Sequence, residues 1–164
     1  MVSCPALGEP LARELLAAPL VASLASHNPD GSMHVIPVWF LWDGARILVA
    51  TNGGSRKARN VQRDPRVTVM VHDSPGGVDV RGLTIYGRAD LLRDEQAIGL
   101  CERIHLKYVT AEGLAIPAVA DFLGADDVTL LIVPERAIAF DESASTAAAE
   151  LRESGEFVAT RGIR

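Results

Sequence analysis

Short turns link the apolar segments of the first third of the chain, and they limit how those segments can pair. Residues 21–26, 33–42 and 46–51 have the composition of β-strands. Between them stand "NPDG", where Pro29 suits the second turn position and Gly31 the left-handed one, and the pair Asp43-Gly44, which suits a tight hairpin. Parallel strands need a crossover of a dozen or more residues. The sequence therefore predicts an antiparallel meander over residues 21–51.

The rest of the chain continues this pattern with few helices. Strands are predicted over 67–73 and 82–92, and the last strands within 126–141; helices are predicted over 10–18, after Ser55 and over 94–107. Six or seven antiparallel strands with short helices favour a mainly β (α+β) fold, closed or partly closed into a barrel. We expect one domain over 1–142 and a tail over 143–164 that is either helical or disordered.

The segment 33–42 is apolar on both faces. Its odd positions include Met33 and Val35, and its even positions include Ile36 and Phe40. A strand of this kind needs cover on both sides, from the barrel interior and from a subunit partner, a cofactor or both; a buried central strand without a ligand is the alternative. Pro37 cannot donate a backbone hydrogen bond, which predicts an edge or a bulge at that position.

Composition and charge exclude several classes of function. With 48% hydrophobic and 23% charged residues the 164-residue chain is typical of a soluble globular protein, and a net charge of −5 disfavours nucleic acid as a partner. No apolar run approaches a membrane span, so we expect neither export nor a membrane anchor, and two distant cysteines favour the cytoplasm. The four histidines lack zinc-site spacing and no carboxylate pair stands out, so we expect no metal and assign no catalytic residue.

Basic residues are concentrated in one short segment of this acidic chain. "SRKARNVQRDPR" (55–66) holds five of the sixteen lysines and arginines, directly after Gly53 and Gly54. A helix that begins after Ser55 would present free backbone amides, a positive dipole end, Arg56 and Lys57 to a phosphate group. A solvated basic helix is the alternative interpretation. Because the protein's own groups form no evident catalytic set, a borrowed cofactor with a phosphate is the natural hypothesis.

The same residues resemble a known family. Residues 21–71, and above all "S-x-K-x-R-N-x-x-x-D-P-R-V" (55–67) and "PVWF" (37–40), resemble the pyridoxamine-phosphate-oxidase-like split β-barrels of the flavin/deazaflavin oxidoreductase superfamily, and in particular the branch that depends on the deazaflavin coenzyme F420. The resemblance implies a homodimer with two cofactor sites at the subunit interface. It also implies that the cofactor phosphate is held by Thr51, Ser55, Arg56, Lys57 and Asn60, and that the ring system lies along Pro37, Val38 and Trp39.

The resemblance implies hydride transfer between the cofactor and a small electrophilic molecule. F420 is favoured over FMN because Arg59 and Arg63 could hold its acidic tail. The alternatives are an FMN-dependent oxidoreductase of the same barrel family, or a module that binds a flavin or a tetrapyrrole, haem included, without turnover. His72, His105 and Tyr108 are the available proton donors, although residues of these types are more often structural.

Overall fold

A computed structural model describes residues 4–74, 78–125 and 128–156. Its strands form a single antiparallel sheet in the order β2-β1-β5-β6-β7-β4-β3. The strands are β1 (Ala22–His27), β2 (Met33–Val38), β3 (Leu41–Trp42), β4 (Ile47–Thr51), β5 (Arg66–Asp73), β6 (Arg81–Leu92) and β7 (Val128–Asp141). The mainly β, α+β architecture predicted from the sequence is confirmed.

Within the described residues, six short α-helices lie between and around these strands. They are α1 (Pro10–Ala17), α2 (Arg56–Arg63), α3 (Glu95–His105), α4 (Ala111–Leu114), α5 (Pro117–Leu123) and α6 (Thr146–Ser154), and a short 3-10 helix precedes them at Pro5–Gly8. Their starts follow local rules: Pro10 occupies the first turn of α1, and the Asp94 carboxylate accepts hydrogen bonds from Gln96 and Ala97 at the start of α3. Among the described residues, no helix combines the length and the apolar character that crossing a bilayer requires.

Both predicted turns of the first third are present. The Asn28 carbonyl accepts from the Gly31 amide at 3.1 Å, and Gly31 has φ +83. Gly44 has φ +96 in the link between β3 and β4, where the Asp43 amide donates to the Arg46 carbonyl at 3.1 Å. A residue with a side chain is strained at either φ, which is why glycine stands at both turns.

The prediction of one continuous strand over 33–42, and of a simple meander through it, is wrong. The strand breaks at Trp39 and Phe40: β2 lies at one end of the sheet order and β3 at the other. Phe40 is fully buried, and its amide donates to the Tyr108 hydroxyl at 3.0 Å rather than to a neighbouring strand. The edge position predicted for Pro37 is confirmed, since among the described strands β2 is at the end of the sheet order and pairs with β1 alone.

The last part of the chain also differs from the prediction. Residues 128–141 form one long strand, β7, rather than several; it pairs with β6 across a bulge at Tyr86 and Gly87. A side-chain carbon at Gly87 would collide with the Val133 carbonyl oxygen, so glycine lets the two strands approach there. The helices α4 and α5 were not predicted.

The apolar core fills one side of the sheet. α1 covers it with Leu15 and Leu16, which belong to the same buried cluster as the strand residues Leu24 and Ile85 and as Phe40 between β2 and β3. Gly155, which has φ +68, caps the C-terminal end of α6, and Arg152 of this helix forms an ion pair with Asp79. Residues 157–164 of the predicted tail lie outside the described residues.

Candidate functional site

The start of α2 is a tightly built turn. The Ser55 hydroxyl accepts from the Ala58 amide at 3.3 Å, which caps the helix, and lies 3.0 Å from the Thr51 hydroxyl at the end of β4. The Asn52 side chain accepts from the Gly54 amide at 2.8 Å. Thr51 and Ser55 are therefore brought together, and both hydroxyls fix the turn that begins the helix.

An arginine that the sequence analysis did not single out lies beside this turn. An added side-chain carbon at Gly53 would come within 2.6 Å of Nη1 of Arg93, which follows β6. Glycine at position 53 thus leaves room for the Arg93 guanidinium near the positive end of the α2 dipole. Local pattern gives no sign of this pairing, because 40 residues separate the two positions in the chain.

The basic residues of α2 differ in exposure and in their partners. Arg56 is exposed and Lys57 is half-buried. The Arg59 side chain donates to the Gly54 carbonyl at 2.7 Å, and Arg63 donates to the His27 carbonyl. Both arginines therefore remain at the surface but are held in place by backbone oxygens.

A polar cleft of about 420 Å³ borders this helix. It is lined by Arg56, Arg59, Arg63, Asn60, Asn28, Pro29 and Asp30. Hydrogen bonds from Ser32 keep the pKa of Asp30 below its usual value, with a smaller contribution from nearby Arg63. Three guanidinium groups against one carboxylate leave the cleft positively charged, which suits an anion.

Asn60 occupies a structural position. Its side chain is 3% exposed, and its Nδ2 donates to Ser26 Oγ at 3.2 Å and to Asn28 Oδ1 at 3.0 Å. Both Nδ2 protons are thus engaged within the protein, joining α2 to β1 and to the turn after β1. In this arrangement the Asn60 side chain has no N–H group left to donate to a phosphate.

The residues predicted to lie along a ring system lead into an aromatic cluster that includes Trp39. Val38 is buried, Pro37 is exposed at the sheet edge, and Trp39 follows β2. The Trp39 indole is stacked on Tyr108, with centroids 4.7 Å apart and an interplanar angle of 7°, and meets His105 edge-on at 6.2 Å. The strand β1 links this group to α2, because Ser23 is opposite Pro37 and Ser26 bonds to Asn60.

The predicted proton donors are mostly engaged in structure. The Tyr108 hydroxyl accepts from the Phe40 amide and lies 2.9 Å from the Leu20 carbonyl oxygen, to which it donates; burial raises its pKa. His105 is buried against Trp39, while His72 is exposed on β5. A tyrosine held in this way is a poor acid.

Lys107 lies beside this aromatic cluster. Its Nζ donates to the Leu16 carbonyl at the end of α1, at 2.9 Å, and lies 3.6 Å from the centroid of the Phe40 ring. Burial lowers the pKa of Lys107 to about 8. The residue ties the turn after α3 to α1, and the described residues contain no group of three or more metal-ligating side chains that would suggest a metal centre.

The curled antiparallel sheet, the capped α2 and the edge strand β2 together define a split-barrel protein, and comparison with known proteins gives the family. The family model described as pyridoxamine 5'-phosphate oxidase matches residues 9–120. Since that is more than half of the chain, the protein belongs to this family. No curated protein matches the sequence.

Solved structures of the same fold include proteins of several descriptions. An F420 reductase has 27% identity and a TM-score of 0.61, with 77% of this chain and 94% of that chain covered. A conserved hypothetical protein of Mycobacterium tuberculosis has 27% identity and a TM-score of 0.65, with 78% and 81% covered. A Listeria innocua protein provisionally named a pyridoxamine 5'-phosphate oxidase has 28% identity and a TM-score of 0.56, with 78% and 94% covered.

Proposed function

We propose that this protein is an oxidoreductase that binds coenzyme F420 and transfers a hydride between the cofactor and a small electrophilic molecule. The observation that carries the proposal is the start of α2, where a serine-capped helix follows a two-glycine turn and several basic side chains lie close by. The likeness to an F420 reductase supports the choice of cofactor, and FMN is the alternative because it also carries a phosphate group.

The residues at this turn fit a phosphate group. The Ser55 cap fixes the first turn of α2, and the helix dipole places positive charge at this end of the helix. Arg56 is exposed in this turn, Lys57 follows it, and Arg93 lies across Gly53. In this proposal Thr51, Ser55 and Asn60 act mainly by holding the turn in shape, since their side chains already bond to each other or to β1.

The bound cofactor would supply the hydride chemistry, and the chain's own residues would bind and orient it. Pro37, Val38 and Trp39 would lie along the ring, at a sheet edge where β2 pairs only on one side. The stack of Trp39 on Tyr108 holds the indole rigid. Fixed walls of this kind exclude water and set the face from which a substrate approaches.

Two further arginines of α2 are the reason to expect tighter binding of F420 than of FMN. Arg59 and Arg63 line the polar cleft on the same helix, and the backbone bonds that hold them leave other N–H groups of each guanidinium available. Only F420 carries carboxylates beyond its phosphate. Contacts between exposed charges weaken as ionic strength rises above about 0.1 M. The difference in affinity between F420 and FMN should therefore become smaller in high salt.

A titration with both cofactors tests the proposal. We expect Lys57→Ala to weaken both F420 and FMN by about 1.5–3 kcal/mol, the size of a lost hydrogen bond to a charged group, which is roughly 10- to 100-fold in the dissociation constant. The double variant Arg59→Ala, Arg63→Ala should lose mainly F420 affinity and its salt dependence. Gln62→Ala, an exposed position on the same helix, is the control and should bind like the parent protein.

Several results would reject this assignment. If FMN co-purifies in stoichiometric amount and F420 does not displace it at low salt, the protein is an FMN-binding member of the family. If neither cofactor binds and Lys57→Ala changes nothing, α2 is a solvated basic helix. A chain that binds a cofactor but reduces no electrophile acts as a binding module.

A homodimer is part of the same proposal, and the outward face of β2 supports it. On this face Val35 is 60% exposed and Met33 is 47% exposed. An apolar stripe on an edge strand favours association with a second chain. Light scattering at micromolar concentration should give twice the mass of 17.5 kDa, and Val35→Lys should shift the protein toward the monomer. A monomeric parent protein would contradict this part of the proposal.

A further inference from the structure

An apolar groove lies against Trp39, on the side of the molecule formed by α4 and α5. Its volume is about 450 Å³, and its walls include Trp39, Val109, Ile116, Val119, Phe122 and Leu123. Phe122 is 78% exposed and Ile116 53% exposed, whereas Leu123 is buried. Large apolar side chains gathered at the surface in this way mark a binding site more often than isolated ones do.

The local structure forms the groove in a defined shape. Thr110 caps α4 by accepting from the Gly113 amide at 3.1 Å, and Pro117 starts α5. A side-chain carbon at Gly113 would come within 2.6 Å of Val109 Cγ1, so glycine lets α4 approach the wall of the groove closely. On the other side, Trp39 is held by its stack on Tyr108.

The chemistry of the lining limits what can bind. Within the described part of the chain, no ionisable side chain lines the groove. An ion placed there would lose its hydration without a partner, at a cost that exceeds the apolar gain. The rings of Trp39 and Phe122 favour a flat, apolar ligand that stacks on them.

The size and position of the groove favour a small molecule over a protein. At about 450 Å³, the groove falls within the range of about 300–1,000 Å³ that is usual for small-ligand pockets. A stable protein interface, by contrast, is an extended surface of about 800 Å² on each partner. The groove is also continuous with Trp39, at the end of the strand proposed to carry the cofactor ring.

We propose that the groove between Trp39, α4 and α5 binds the substrate, and that this substrate presents an uncharged, planar, apolar body. The role as a substrate site rests on the proposed oxidoreductase function; the class of ligand rests on the lining alone.

Nuclear magnetic resonance of the chain without cofactor tests the ligand class. Trp39 and Trp42 are the only two tryptophans, so a ¹⁵N-labelled sample gives two indole N–H signals, which the variant Trp42→Phe assigns. We would titrate naphthalene-2-carboxamide and naphthalene-2-carboxylate, which share a ring system and differ in charge. The carboxamide should shift the Trp39 signal to saturation and leave Trp42 unchanged, and the carboxylate should bind at least about tenfold more weakly.

Two alanines of α5 give matched variants. Ala118 lines the groove, while Ala120 lines a different cleft on the other side of the helix, and both are exposed. Ala118→Asp should weaken carboxamide binding at least about fivefold, because it places a charge in the groove. Ala120→Asp should stay within about twofold of the parent protein, since its charge remains in water.

The proposal is overturned if the carboxylate binds as tightly as the carboxamide, if the Trp39 signal does not move, or if the two aspartate variants behave alike. A Trp39 signal that shifts on dilution of the Val35→Lys variant without ligand would also overturn it, because a second copy would then cover the groove. Failure of F420 to bind, with the carboxamide result intact, would reject the oxidoreductase function and leave the ligand class standing.

Discussion

Asn60→Ala is the variant that best separates a structural role from a cofactor-binding role at α2. The substitution removes the amide that donates to Ser26 Oγ at 3.2 Å and to Asn28 Oδ1 at 3.0 Å. Asn60 is 3% exposed and Ser26 is fully buried. If the amide is structural, the chain should lose stability with no cofactor present.

The magnitude follows from the two hydrogen bonds. Each contributes about 1 kcal/mol net, and a buried acceptor left unpaired adds up to about 1 kcal/mol more. Alanine is the better helix former and returns about 0.6 kcal/mol. We therefore expect the free energy of unfolding to fall by about 2 kcal/mol, which for a chain of this length lowers Tm by roughly 4–8 °C.

Urea unfolding of the cofactor-free chain, followed by circular dichroism, measures this change. Gln62→Ala removes an exposed amide from the same helix and should change the free energy of unfolding by less than about 0.5 kcal/mol. If Asn60→Ala is as mild as the control, the two hydrogen bonds do not hold α2 to β1. The side chain would then be free to serve a phosphate group directly, as the sequence resemblance implies.

Two further predictions concern the turn after α3. Tyr108→Phe keeps the ring on Trp39 but leaves the buried Phe40 amide without its acceptor, so the free energy of unfolding should fall by about 1–3 kcal/mol; an unchanged stability would free the hydroxyl for proton transfer. The pKa of Lys107 is lowered by burial from 10.5 to about 8, so the unfolded chain binds more protons between these values and stability should rise with pH from 8 toward 10. Lys107→Met should reduce this rise in the free energy of unfolding, measured up to about pH 9.5, which is below the raised pKa of Tyr108. If the free energy of unfolding rises equally with pH in both proteins, the pH dependence does not come from Lys107.

Features that depend on neighbours in sequence could be predicted. The positive φ of Gly31 and Gly44, the cap at Ser55 and the antiparallel pairing all follow from short patterns. Each needs only a few adjacent residues to decide its geometry. The fold class therefore followed from the turns and the strand periodicity.

Features that depend on distant partners could not be predicted. The strand at 33–42 breaks because Phe40 is buried and its amide bonds to Tyr108, 68 residues away. Apolar residues continue without interruption through the break, so the local pattern alone indicates one strand. The approach of Arg93 to Gly53 and the burial of Asn60 against β1 have the same origin in tertiary packing.

The break at Trp39 and Phe40 also connects the stability of the fold to the proposed site. This link carries the chain from β2 at one end of the sheet order to β3 at the other, and the Tyr108 hydroxyl, held between the Phe40 amide and the Leu20 carbonyl, fixes its path. Trp39 lies on the link and forms one wall of the apolar groove. The turn after α3 therefore positions the indole, and any change there that loosens Tyr108 should disturb the ring end of the site before it disturbs the phosphate end at α2.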